Sequence, residues 1–200
     1  SCSGYFLNTL EKKKFELNDC QFSYRSSIFK KSLRNKFIIT EVVLQLSKTN
    51  HKITKSYKSI NDALNNKKIH NPTIKDIARI VSKIRENKLP NPSLIGNSGS
   101  FFKNPIVSIE LLNKLKQKFS KLVYFKESVS KYKLSAAWLI ENCNFKNIEE
   151  KNVGVYKNQA LVIINLGNAT GKEILLFSEK IKSTVLEKFD ILLEEEVNII

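Results

Sequence analysis

Two kinds of segment alternate along this 200-residue chain, and together they predict a protein of mixed α and β structure. Short runs of alternating or continuous apolar character occur within residues 12–23, 37–46, 153–165 and 191–197. Between and after them, apolar residues recur at helical spacing in 72–87, 108–119, 133–141 and 171–189. A hydrophobic content of 42% fits a globular chain with real cores, and the length allows one large domain or two small ones.

Taken in order, Lys14-Phe15-Glu16-Leu17 alternates and Asn18-Asp19 offers a turn. Phe37 to Leu46 sets Ile38, Val42, Leu44 and Leu46 on one face and Phe37, Ile39 and Val43 on the other, which predicts a strand covered on both sides. Residues 47–56 are polar, and His51 among them reads as a solvated loop residue. Pro72 to Asn87 predicts a helix with Pro72 in its first turn and a core stripe of Ile74, Ile77, Ala78, Val81 and Ile84, while Lys83 and Arg85 point outward. Lys88-Leu89-Pro90-Asn91-Pro92 stops that helix and marks a domain junction near residue 90.

In the second half, Ser108 can cap a helix reaching about Phe119, with Leu111, Leu112 and Leu115 inward. Ser120 to Lys131 reads as loop, and Lys133 to Glu141 opens a helix in which Trp138 is a core anchor. Val153 to Tyr156 and Gln159 to Asn165 predict two β segments around Lys157-Asn158. Gly171 to Phe189 is amphipathic, with Ile174, Leu175, Ile181, Val185 and Leu186 on the apolar side. Asp190 then turns the chain into a last strand, Ile191 to Val197, whose Glu194-Glu195-Glu196 run suits a solvated edge.

The stretch richest in chemistry is Gly96-Asn97-Ser98-Gly99-Ser100-Phe101-Phe102-Lys103-Asn104-Pro105. Two glycines three residues apart among small polar residues predict a tight turn that lets another group approach the backbone. Ser100 would stand on an exposed corner, with the Lys103 charge and the Asn104 amide following before Pro105.

Composition narrows the function classes. The net charge of +15 invites a nucleic-acid reading, yet only Arg25, Arg34, Arg79 and Arg85 are arginine, so 34 − 4 leaves 30 lysines spread along the chain. Bidentate readout of phosphates and bases favours Arg, and the Lys, Asn and Ile bias matches AT-rich codons better than a selected binding face. Cys2, Cys20 and Cys143 lack a Cys-x-x-Cys spacing, which predicts free thiols in a reducing compartment and no metal site. No apolar run approaches the roughly 20 residues that span a bilayer, and the N-terminus lacks a signal-peptide pattern. The absence of any Met, even at position 1, suggests a piece of a longer protein.

Gly99 to Pro105 resembles the GSFFKNP signature of the UDP-N-acetylenolpyruvoylglucosamine reductase family, which makes UDP-N-acetylmuramate for peptidoglycan. The Tyr24-Arg25-Ser26-Ser27-Ile28-Phe29-Lys30, Lys88-Leu89-Pro90-Asn91-Pro92, Ala137-Trp138-Leu139-Ile140 and Leu193-Glu194-Glu195-Glu196-Val197 runs are similar to further family motifs. The resemblance implies an α+β fold: 1–89 as the latter part of a PCMH-type FAD-binding domain, 90–190 as an α/β substrate-binding domain, and 191–200 as a strand returning to the active site. It implies catalytic Ser100, Arg25 and Glu196, with Arg25 and Arg85 at the flavin. Substrate contacts carry over to Tyr57 (across a one-residue insertion), Lys88, Asn104, Lys146 and Gln159. Lys103 is a further neighbour of the site. In the E. coli-type branch a loop Tyr touches substrate; the aligned position here is Phe125, so Tyr124 beside it takes that assignment.

The implied cofactors are FAD and, as reductant, NADPH; the partner is UDP-N-acetylglucosamine enolpyruvate, with no nucleic acid and no membrane, in a cytoplasmic monomer. Family members carry over a hundred residues before the point where this chain begins, so the chain alone is expected to bind FAD weakly and to lack reductase activity. A basic RNA- or DNA-binding module and an inactive remnant of the reductase are the alternatives.

Overall fold

A computed structural model of the chain describes residues 1–51, 53 and 57–200, and the chain divides into two compact units, Ser1–Lys52 and Ile53–Ile200. The junction expected near residue 90 therefore falls inside the second unit. Of the polar stretch 47–56, residues 52 and 54–56 lie outside the described residues.

In the first unit, strand β1 (Cys2–Phe6) runs between β2 (Lys12–Phe15) and β3 (Phe37–Val42), antiparallel to both. The central strand is the one sequence periodicity does not reveal, because Cys-Ser-Gly carries little apolar signal. Gly4 is what makes it possible: a Cβ there would sit 1.9 Å from the Ile38 carbonyl oxygen and 2.8 Å from the Phe37 ring, where the register with β3 slips. The core is small, with Cys2, Phe15, Cys20, Ile28 and Phe37 buried and the Phe15 and Phe37 rings edge to face at 5.2 Å.

The strand expected to be covered on both sides is uncovered along most of its length among the described residues. β3 is an edge strand that ends at Val42, and only Phe37 is buried; Ile38, Ile39, Val42 and Val43 are 43–56% exposed. The aromatic cluster lies at one end of the sheet and reaches no further along β3.

The second unit begins with two helices, α1 (Lys58–Asn66) and α2 (Ile74–Lys88), packed around Ile60, Leu64 and Ile80. Thr73 caps α2 by accepting from the Asp76 amide at 3.2 Å, while the Asp76 carboxylate accepts from the Thr73 amide at 2.9 Å. Pro72 thus precedes the helix instead of opening it. Ile80 is buried with Ile77, Val81 and Ile84 half-buried around it, whereas Ile74 and Ala78 are exposed.

The remaining strands form two sheets. β4 (Gly96–Ser100), β10 (Val162–Asn165), β9 (Val153–Val155) and β8 (Glu149–Glu150) lie in that order, all antiparallel. β5 (Ile106–Ser108), β7 (Lys131–Leu134) and β6 (Tyr124–Lys126) form the other. Part of the expected 120–131 loop is therefore a strand, and Lys133-Leu134 close a hairpin instead of opening a helix. The helix there, α4 (Ala136–Asn142), starts only after Ser135, whose hydroxyl accepts from the Trp138 amide.

Helix α3 (Ile109–Lys118) begins at the Ser108 cap and buries Leu112 and Leu115. Helix α5 (Gly171–Phe189) matches the expected span, though its buried line is Phe177, Ser178, Ile181, Val185 and Phe189, and Leu186 is 42% exposed. Phe189 lies against both Trp138 (5.8 Å) and Phe119 (4.9 Å), which joins α3, α4 and α5.

Candidate functional site

The Ser100 segment is a bulged strand, not the tight turn its glycines suggested. Asn97 organises it: its amide nitrogen donates to the Ile95 carbonyl at 2.8 Å, and its side-chain oxygen accepts from the Gly99 amide at 3.0 Å. Gly99 has φ 71, and a Cβ there would touch nothing within 4 Å, so backbone conformation alone calls for Gly. Ser100 sits opposite Val162 of β10, at the register shift between Val162 and Ile164, and is half-buried.

Past Ser100 the chain is held from two sides. The Phe101 amide donates to the Leu161 carbonyl at 2.7 Å, and the Phe101 carbonyl accepts from the Glu196 amide, also at 2.7 Å. The Lys103 amide donates to the Glu194 carbonyl at 2.9 Å, and Phe102 bridges Glu195. The C-terminal segment thus runs antiparallel beside residues 101–103, which brings Ser100 and Glu196 onto neighbouring stretches of backbone.

That segment corrects the expected last strand: after Asp190, a left-handed C-cap at φ 57, it forms no strand, only one bridge at Glu195 and a bend at Glu196-Val197. Its period-two alternation survives, with Ile191 and Leu193 buried and Leu192 exposed. Polar anchors follow. Lys103 pairs with Glu194 at 2.8 Å, and Lys182 of α5 pairs with Glu195 at 2.8 Å and with Glu179 at 3.0 Å. Burial raises the Glu195 carboxyl, but the hydrogen bond from Lys182 and the charges of Lys182 and Lys103 outweigh it and hold the group below its ordinary value. The Lys182 ammonium is correspondingly raised, first by its bond to Glu195.

Other expected residues gather at a second point of this unit. Lys88 ends α2, and the neighbouring Asn87 carbonyl accepts from the Asn158 side chain at 2.9 Å. That bond sets the end of α2 against the β9–β10 turn, where Gln159 stands half-buried next to the Leu161 and Val162 partners of the Ser100 strand. Asn104 lies one residue past Lys103, with its side-chain oxygen accepting from the Ala136 amide at 2.9 Å, so it secures the start of α4.

The rest are dispersed. Tyr124 is on β6, 38% exposed, with the Lys116 ammonium 5.2 Å from its ring centre; Phe125 beside it is 54% exposed. Lys146 pairs with Glu141 at 2.9 Å. Tyr57 stands before α1 and is 69% exposed, and Arg85 is exposed on α2. Arg25 belongs to the first unit, in a turn where the Ser23 and Ser26 amides donate to each other's carbonyls at 3.0 and 3.1 Å. It has φ 52 and holds its guanidinium 5.6 Å from the Tyr24 ring centre.

Sequence reasoning missed Lys182. The available signal was a lysine wedged beside Ile181 near the buried side of an amphipathic helix, where a cation needs a carboxylate partner. Among the described residues no group of three or more His, Cys, Asp or Glu is disposed to hold a metal ion, and no helix is long and apolar enough to cross a membrane.

Comparison with known proteins bears directly on this arrangement. Residues 91–200 match the family described as UDP-N-acetylenolpyruvoylglucosamine reductase, C-terminal domain, which spans the Ser100 strand and the returning tail together. A reductase of that name from Flavobacterium johnsoniae is 46% identical over the whole chain, which covers 59% of the relative. One from Amoebophilus asiaticus is 44% identical over 94% of the chain and 55% of the relative. The crystal structure of the reductase from Thermus caldophilus matches 98% of this chain and 51% of its own with a TM-score of 0.56; at 17% identity, that likeness speaks for the fold alone. The chain thus spans little more than half the length of the relatives it matches, and on these matches it belongs to the UDP-N-acetylenolpyruvoylglucosamine reductase family.

Proposed function

We propose that this chain supplies the substrate-facing part of a flavin-dependent reductase that converts UDP-N-acetylglucosamine enolpyruvate to UDP-N-acetylmuramate in the cytoplasm, acting as a monomer. The observation that carries this reading is the Glu196 tail bonded to Phe101 and Lys103, the residues that directly follow Ser100. In this reading residues 1–89 belong with the flavin domain, 90–190 with the substrate, and 191–200 return Glu196 to the reacting centre.

FAD, recharged by NADPH, would supply hydride to the terminal carbon of the enolpyruvyl double bond. The exposed Arg25 fits such a neighbour: a planar cation fixed in a sharp turn beside an aromatic ring can meet a carboxylate or a flavin edge with two parallel hydrogen bonds. Arg85, exposed on α2, is the second candidate for the flavin.

Charge that builds next to the substrate carboxylate is then stabilised by the Arg25 guanidinium, most strongly where water is excluded. The Glu196 carboxyl, carried on the tail beside Phe101, is the second acidic group of this reading. The Ser100 hydroxyl gives its proton to the carbon next to the carboxylate; a hydroxyl is a weak acid in water, but an enolate carbon is basic enough to take it. Lys88 and Gln159 sit at the α2 end and the adjoining turn, where a diphosphate and a sugar can be held together. Asn104, Lys103, Lys146, Tyr57 and Tyr124 complete the substrate contacts.

The test is a chimera that joins this chain to the part of the Flavobacterium johnsoniae relative it does not match. NADPH absorbance should fall only when the enolpyruvyl sugar nucleotide is added. A chimera that holds flavin, yet oxidises NADPH at one rate with and without that substrate, would overturn the proposal.

A further inference from the structure

We propose that Lys182 is a positioning residue, whose ammonium holds Glu195 and thereby lays Glu196 beside the Ser100 strand. The role rests on the reading above, in which Ser100 and Glu196 act on one substrate.

The backbone alone fastens the tail weakly. Two hydrogen bonds, from the Glu196 amide and the Lys103 amide, flank a single bridge, and no regular ladder continues them among the described residues. The outer ion pair adds little, because the Glu194 side chain is 72% exposed and its attraction to Lys103 is screened by water.

The inner pair differs. The Lys182 and Glu195 side chains are only 16% and 22% exposed, and Lys182 also takes Glu179 one turn earlier on its own helix. Ile181 and Val185, both fully buried, fix the helix on either side of Lys182. The ammonium is therefore set by the core, and the tail conforms to it. Removing one partner of such a pair leaves the other charge half-buried and uncompensated, which favours release of that stretch of the tail into water. Glu196 follows Glu195 directly, between the buried Leu193 and the half-buried Val197 on the core, so losing the Lys182 pair loosens Glu196 locally without detaching the whole tail.

Amide hydrogen exchange of the 200-residue chain, read residue by residue by NMR, tests the clamp. Lys182→Met should speed exchange of the Glu196 and Lys103 amides ~10-fold or more, with the Val155 and Tyr156 amides of the β9 hairpin unchanged. Lys182→Arg, which keeps the charge, should stay near the parent rate. Unchanged Glu196 and Lys103 amides in Lys182→Met, or equal acceleration at Val155 and Tyr156, would overturn the clamp.

In the chimera, Lys182→Met should lower kcat with KM for the sugar nucleotide nearly unchanged, and Lys182→Arg should restore it. Freed tail amides with parental kcat would overturn the positioning role. If Ser100→Ala also leaves kcat untouched, the reductase reading fails instead, while the exchange rates still decide whether Lys182 holds the tail.

Discussion

Leu193→Ala probes the returning tail through its packing. Leu193 is 1% exposed and belongs to the main core of the second unit. The substitution removes three carbon groups, or about 2.4 kcal/mol at roughly 0.8 kcal/mol each. A residual cavity of about 50 Å3 adds about 1.2 kcal/mol at roughly 24 cal/mol per Å3, for a total near ~3.6 kcal/mol. Leu192, its neighbour, is 62% exposed, so Leu192→Ala should cost no more than about 0.5 kcal/mol. Urea unfolding followed by fluorescence reports this unit cleanly, because Trp138 is the single tryptophan and packs against Phe189, just before the tail. With a slope of about 2 kcal/mol per molar urea, Leu193→Ala should move the midpoint down by ~1.8 M and Leu192→Ala by about a quarter molar or less. Equal shifts in the two variants would refute the alternation, and with it the register that puts Glu196 beside Phe101.

Three further outcomes follow from the geometry. Asn104→Ala should destabilise the second unit by about 1 kcal/mol through the lost bond to the Ala136 amide, read as a urea midpoint shift; a change below a few tenths would deny Asn104 that capping role. Because the Lys182 hydrogen bond and the Lys182 and Lys103 charges outweigh burial and hold the Glu195 carboxyl below its ordinary value of 4.5, its contribution to tail attachment is fully present above that pH and is lost as pH falls through the lowered value. Amide chemical shifts of Glu196 between pH 6 and pH 3 should show the transition, and Lys182→Met should move it to higher pH; a transition that Lys182→Met leaves in place would exclude Glu195 as its source. Finally, UDP-N-acetylglucosamine titrated into the chain should shift the Lys88, Gln159 and Ser100 amides together, and a response confined to the β5–β7–β6 sheet would move the binding surface elsewhere.

Helices with strong caps or stripes were legible in the residues. Ser108 and the Leu112 and Leu115 pair announce α3, and the 19-residue α5 runs over the span its periodicity marks. Errors arose where tertiary context decides. Gly96 and Gly99 look like a turn, yet pairing with β10 turns them into a bulged strand, because a positive φ at one residue suits either. Lys133-Leu134 continue a helical pattern, but the Ser135 cap and the Tyr124 hairpin claim them for a strand. β1 has no period-two apolar pattern, since Ser3 and Gly4 interrupt Cys2 and Tyr5-Phe6, and its close pairing with β3 leaves no room for a side chain at Gly4. For the site, motifs marked Ser100 and Glu196 as catalytic residues, and the tail's bonds to Phe101 and Lys103 lay its backbone beside the residues just past Ser100. Lys182 stayed hidden, since a lysine in an amphipathic helix ordinarily faces water and only the returning carboxylate changes its meaning.

The most direct test of a proton-donating Ser100 is Ser100→Ala in the chimera, with the two half-reactions separated by stopped-flow flavin absorbance. Reduction by NADPH should proceed at nearly the parental rate, while reoxidation by the enolpyruvyl sugar nucleotide should slow ~10³-fold or more. Equal loss in both half-reactions, or reoxidation at the parental rate, would contradict the assignment of Ser100 as the group that protonates the substrate carbon.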